Sequence, residues 1–202
     1  MADDTFQKLT EVFRKFPGIG PRQANRFVFF LAGLSKDNID QLKNLLTDLT
    51  NTTFRCPDCR RLFSSQAGGH LCRLCADPAR DQSHLIIVEK ESDLDNLEKT
   101  GIFKGRYFVL GKLLPLFATQ PEQELSLEIL KKKIKKDKVK EITIALSANL
   151  DGDSTANFIK NYLIKHFTNQ IKINFLGRGL SSGTELEYSD PETLKNAWEN
   201  RK

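Results

Sequence analysis

Two short knuckles, Cys56-Pro57-Asp58-Cys59 and Cys72-Arg73-Leu74-Cys75, contain all four cysteines of the chain, with twelve residues between them. A Cys-x-x-Cys turn carries two sulfurs to neighbouring corners of a tetrahedron, and a second turn fills the other two. The spacing therefore predicts one closed four-thiolate Zn²⁺ site per chain. With every position taken by protein, such a metal folds the segment and does no chemistry. The rival reading is two disulfides. A 202-residue chain with four cysteines and no secretory leader favours the metal and an intracellular setting. His70 lies between the pairs, but four thiolates suffice without it, and it reads as a solvated loop residue.

No apolar run approaches the ~18–20 residues that span a bilayer, so no membrane partner is expected and the location expected is cytoplasmic. The longest apolar cluster, Phe27 to Ala32, predicts a buried helix. The formal charge of +5 is mildly basic, and its distribution tells more than its size. Four parts follow from pattern: a helical segment over 1–52, the cysteine module over 53–80, an alternating segment over 81–176, and a tail over 177–202. The alternating segment has strands at 84–88, 106–110, 141–146 and 171–175, with helices at 92–100, 122–136 and 154–167. That alternation predicts a mostly parallel sheet. In the tail, Pro191 opens a short final helix.

The run Phe16-Pro17-Gly18-Ile19-Gly20-Pro21-Arg22 has the pattern of a helix-hairpin-helix. Its glycines permit a tight turn and a close approach of backbone to phosphate. The next helix, starting near Pro21, points its first amides at the same anion. No acidic residue lies between Val12 and Ser35, while Arg14, Lys15, Arg22 and Arg26 are basic. Arg22 and Arg26, four apart, share a helix face. A plain interhelical turn explains the glycines but not the missing acids. The reading is sequence-independent contact with the DNA backbone, single- or double-stranded, through Arg14, Lys15, Gly18, Gly20, Arg22 and Arg26.

Acids gather where strands end. Strand 84–88 runs into Glu89, and strand 141–146 leads through 147–150 into Asp151-Gly152-Asp153. In an open α/β sheet the carboxyl ends of strands are where ligands bind, and Glu89, Asp151 and Asp153 could there hold Mg²⁺ or a partner's basic patch. Equally, Asp153 or Ser154 could simply cap the helix and Glu89 be solvated. The lysine run 131–138 invites a nucleic-acid reading, but it lies at a helix C-terminus, where the dipole favours lysines, and it reads as a solvated face in preference to a dedicated DNA patch. Arg55, Arg60, Arg61 and Arg73 read as charges that offset the anionic metal–thiolate centre.

Taken in order, these parts resemble the RecR family of bacterial recombination mediators over essentially the whole chain. The resemblance rests on the 16–26 hairpin, the Cys56–Cys75 finger and Arg80-Asp81 before the strand ending in Glu89. It also rests on Thr100-Gly101, Gly105-to-Gly111 and Leu186-Glu187-Tyr188. It implies an α+β multidomain fold: helix-hairpin-helix, four-cysteine zinc finger, Toprim-like domain, and a short tail with a helix. It further implies a non-enzymatic DNA-binding protein forming a dimer or a ring-like tetramer. Such a protein acts with RecO, and in some settings RecF, to load RecA on single-stranded DNA near the nucleoid. Family members often show Glu-Gly-Glu where this chain has Asp151-Gly152-Asp153, a pattern closer to catalytic Toprim domains. The alternative reading is therefore a Mg²⁺-dependent Toprim nuclease. Against it, no histidine or tyrosine is close in sequence to the three acids in a way that suggests a nucleophile.

Overall fold

The structure is a computed structural model that describes residues 2–65, 70–115, 118–167 and 170–201. Residues 66–69, within the expected cysteine module, lie outside that description. The chain forms two compact units, Met1–Thr53 and Phe54–Lys202.

The first unit contains α1 (Ala2–Phe13), α2 (Pro21–Ala32) and α3 (Lys36–Thr52). Phe13 meets Phe27 with ring centroids 5.6 Å apart, and Phe6 meets Phe29 at 5.4 Å. Thr10 Oγ1 donates to Asn25 Oδ1 at 2.9 Å across the same helix pair. The expected buried helix over 27–32 is corrected: in α2 only Ala24 and Val28 are buried, and Phe29 and Phe30 are about two-thirds exposed. Within the unit α1 packs on one face of α2, which leaves the other face of its phenylalanine run uncovered. No residue of α3 is buried.

In the second unit, β1 (Thr53–Arg55) and β2 (Leu62–Ser64) form a two-stranded sheet around the first knuckle, and α4 (Arg73–Ala76) carries the second. A four-stranded sheet follows, of β3 (Asp81–Val88), β4 (Gly105–Val109), β5 (Glu141–Ala145) and β6 (Lys172–Phe175). Its order is β4-β3-β5-β6, and every pairing is parallel. The crossovers contain α5 (Glu91–Thr100), then α6 (Pro121–Glu124) with α7 (Leu127–Asp137), then α8 (Leu150–Phe167). A tail ends in α9 (Pro191–Glu199), which Asp190 caps by accepting from Thr193 N at 2.9 Å.

Strand alternation divides the core. Leu85, Ile87, Phe108, Ile142 and Ile144 face one way, onto Leu130 and Ile134 of α7 and Ile159 and Leu163 of α8. Ile86, Val88, Tyr107 and Val109 face the other way, onto Leu94 of α5 and the cysteine module. Both faces are covered, which is why these strands read as unbroken apolar runs.

Two helices depart from expectation. The 122–136 helix is two pieces, because Leu125 turns wholly into the core and Ser126 takes a left-handed backbone, φ +54°. The helix expected from 154 begins at Leu150 instead, and Asn149 caps it by accepting from Gly152 N at 2.8 Å. Asp153 and Ser154 are thus inside the helix and not its cap.

At the opposite edge of the sheet, His84 bridges two strands. Its Nδ1 lies 2.7 Å from Asp81 Oδ2 and its Nε2 3.2 Å from Glu141 Oε2. Glu141 also accepts from Asn174 Nδ2 at 2.6 Å and pairs with Lys172 at 3.4 Å. The Asp81 hydrogen bond, helped by Glu141, outweighs partial desolvation and raises the His84 pKa. A raised folded pKa gives stability that is full below the unfolded value of about 6.5 and is lost as pH rises through the folded value. His84→Gln should therefore lower the melting temperature most at about pH 5.5 and progressively less as the pH rises toward about 8.5. Melts across that range check this, and a pH-independent loss would mean that the bridge is uncharged.

Candidate functional site

The two knuckles bring Cys56, Cys59, Cys72 and Cys75 together. All four are buried, and their sulfurs lie within 4.8 Å of one another. Sγ of Cys59 and Cys72 are 3.6 Å apart, far beyond the ~2.05 Å of a disulfide. A tetrahedral thiolate site with metal–sulfur bonds near 2.3 Å has edges of about 3.8 Å, so this set fits one ion with no open position. Hydrogen bonding among the four thiols lowers the pKa of Cys56 and raises those of Cys59 and Cys75, so the metal-free cluster shares protons that a bound cation would displace.

What anchors this module was not legible as such in the sequence. Asp58, inside the first knuckle, accepts from Lys133 Nζ of α7 at 2.5 Å and from Lys136 Nζ at 2.7 Å. Lys133 also reaches Asp137 at 2.8 Å. Burial would raise the Asp58 pKa, but the two lysines overcome it and hold the carboxyl below the usual range. The reading of 131–138 as a wholly solvated face is thus corrected, since Lys133 is 2% exposed. A helical wheel held the signal: Lys133 lies on the same side as Leu130, Ile134 and Asp137, the apolar side of α7.

The finger arginines also differ from expectation. Arg60 Nη1 donates to the carbonyls of Leu110 at 2.8 Å and Leu125 at 3.3 Å, and Arg61 pairs with Asp95 at 2.7 Å. Arg55 donates to the Arg60 carbonyl at 2.9 Å. Their partners lie in the sheet domain or the knuckle backbone, so they fasten the module more than they neutralise it. From the other side, buried Arg106 of β4 grips the second knuckle through the carbonyls of Cys75 and, at 3.2 Å, Asp77. Val109 N donates to the Cys59 carbonyl at 2.9 Å, so the module sits against the free edge of β4.

The acids stand at the carboxyl edge of the sheet, at the switch between β3 and β5. Glu89 accepts from Ser147 Oγ at 2.7 Å. Asp153 is held by Arg178 of the tail through both guanidinium nitrogens, one at 3.3 Å. Asp151 is exposed in the first turn of α8. Among the described residues the cysteines are the only group of His, Cys, Asp or Glu close enough to share an ion. The structure therefore does not gather Glu89, Asp151 and Asp153 into a Mg²⁺ site. Gly152 between the aspartates is essential, because a Cβ there would stand 1.9 Å from the Ser147 carbonyl oxygen.

In the first unit, Gly18 adopts φ +75°, a turn that only glycine makes without strain. Gly20 precedes α2 in extended backbone, Pro21 occupies its first turn, and no side chain caps it. The first-turn amides thus have no capping side chain. Arg14, Lys15, Arg22 and Arg26 are all exposed, and Arg26 reaches only Gln23, at 3.4 Å.

A Toprim domain model matches residues 83–177, and the model for the C-terminal part of RecR matches 179–202. The chain is 35% identical to the recombination protein RecR of Legionella pneumophila, covering 100% of this chain and 98% of that one. It is 32% identical to that of Bifidobacterium adolescentis, over 99% and 96% of the two chains. The Francisella tularensis protein of the same name is 35% identical, over 95% and 92%.

Two outcomes follow from the anchored centre. Cys59→Ser should lose the bound metal and unfold the second unit at lower denaturant, because closing the site is part of folding. Metal analysis beside a urea melt checks it. Lys133→Ala leaves Asp58 and Asp137 buried without their shared partner and should cost about 3–5 kcal/mol in the same melt.

Proposed function

Because the chain belongs to the recombination protein RecR family, we propose that it is a non-enzymatic, DNA-binding mediator of recombinational repair. In this reading it acts with RecO, and in some settings RecF, to load RecA onto single-stranded DNA in the cytoplasm. The observation that carries it is the hairpin: a helix N-terminus without a capping side chain, preceded by a glycine turn and ringed by exposed Arg14, Lys15, Arg22 and Arg26. Such a site suits a phosphate and reads no base. The ion at Cys56, Cys59, Cys72 and Cys75 is Zn²⁺ in this reading, one per chain, because thiolate softness and a closed tetrahedral set favour it.

A homo-oligomer, dimer or ring-like tetramer, completes the reading. A unit of this size with two buried residues in α2 and none in α3 is marginal alone. Phe29, Phe30, Leu45 and Leu49 are each more than half exposed, and a second copy would cover them. Several hairpins on one assembly then act at high effective concentration on one strand of DNA. No helix among the described residues is long and apolar enough to cross a membrane.

Replacing Arg22 and Arg26 by Ala should weaken DNA binding about equally for all sequences. It should flatten the dependence of log K on log salt by about one unit per lost phosphate contact. The fold should survive, as both side chains are exposed. Fluorescence anisotropy with two unrelated oligonucleotides at several salt concentrations measures it, and an unchanged slope would move the DNA site elsewhere. In the same preparation Mg²⁺ or Mn²⁺ should elicit no cutting. A nicking activity abolished by Asp151→Asn would make the protein an enzyme.

A further inference from the structure

We infer that the outer face of α7 and the turn that follows it form a second binding surface for the nucleic-acid backbone, on the unit that does not contain the hairpin. The inference rests on the proposed DNA binding and adds a place where it occurs. Helical periodicity splits α7 cleanly. Leu130, Lys133, Ile134 and Asp137 are buried on one side, while Lys132 and Lys135 stand exposed on the other, and Lys138 and Lys140 follow, also exposed. The structural work of the lysine run is done by Lys133 and Lys136, which bind Asp58. Lys131 pairs with Glu128 at 3.6 Å.

Lys132, Lys135, Lys138 and Lys140 have no acidic partner among the described residues. Lysines three apart on a helix repel each other, and the one acid placed to offset Lys132, Glu128, is paired with Lys131 instead. The helix dipole favours positive charge only within the last turn, so it accounts for Lys135 and Lys138 and much less for Lys132. The fold uses none of the four for packing. Lys133 in its buried ion pair pins the helix to the cysteine module, so the free lysines project from a rigid support. Two unpaired ammonium groups on a fixed helix, with two more in the turn that leaves it, match a chain of phosphates, each a point charge that needs no particular base.

The experiment uses full-length, metal-loaded protein and a fluorescent single-stranded oligonucleotide, with anisotropy read across salt concentrations. The variants are the triple Lys132→Gln, Lys135→Gln, Lys138→Gln, the same positions changed to Arg, and Arg22→Ala with Arg26→Ala. Lys133 and Lys136 stay intact. The expected result for the Gln triple is a slope shallower by roughly 0.7 per lost contact and an affinity roughly fivefold lower per contact at ~0.1 M salt. The Arg triple should keep both. If the Gln triple binds with wild-type slope and affinity while the Arg22/Arg26 variant loses both, the lysines are only a solvated face and the inference is wrong. If the Gln triple loses slope and the Arg22/Arg26 variant does not, the lysine face stands and the hairpin reading fails. A Gln triple whose melt has collapsed is replaced by Lys132→Gln alone, where a wild-type slope likewise overturns the inference.

Discussion

The second unit depends on how a small cysteine module is held against the edge of a parallel sheet. The module has too little apolar content to make a core of its own. Its burial comes from sharing one face of the sheet with α5, where the cysteines and Leu74 pack with Ile86, Val88 and Tyr107. One charge pattern fixes the contact: Asp58 of the knuckle facing Lys133 and Lys136 of α7. A buried pair of this kind adds less to stability than its short distances suggest, because desolvation offsets the attraction. Breaking it is costly, and that asymmetry makes it a register pin for the module. Backbone contacts from Arg60 and Arg106 lock the same interface from both sides.

Holding the module there leaves the other edge of the second unit free for a different arrangement. Parallel pairing sends the carboxyl ends of β3, β5 and β6 the same way, which puts Glu89, Ser147 and the tail near one another. In a metal-dependent domain three carboxylates would converge there. Here Arg178 supplies a cation to Asp153 and Ser147 supplies a donor to Glu89. Two of the three acids are thus held by the protein's own groups, while Asp151 stays exposed.

The first unit is built on the opposite economy of surface. Its helices bury little, its apolar side chains remain largely exposed, and its basic residues cluster around one turn. A helix pair that buries this little is stabilised by contacts from outside itself.

Much of this was readable along the chain. The cysteine spacing specified the tetrahedral set, since two Cys-x-x-Cys turns leave few other ways to place four sulfurs. The apolar runs specified four strands, since both faces of a parallel sheet are covered. The hairpin glycines specified the turn at Gly18, where φ is positive. Proximity across the fold was not readable. The sequence showed Lys133 as one of several lysines, and only packing put it beside Asp58, seventy-five positions away. The sequence showed the aspartates only as acids after a strand end, and the fold alone starts α8 at Leu150, which puts them in a helical turn, and brings Arg178 of the tail to Asp153. Local pattern dictates which residues turn, alternate or ligate, because those preferences act over a few bonds. Which charges meet is decided by the tertiary fold, because a charge's energy depends on the water removed around it and on partners that the chain delivers from far away.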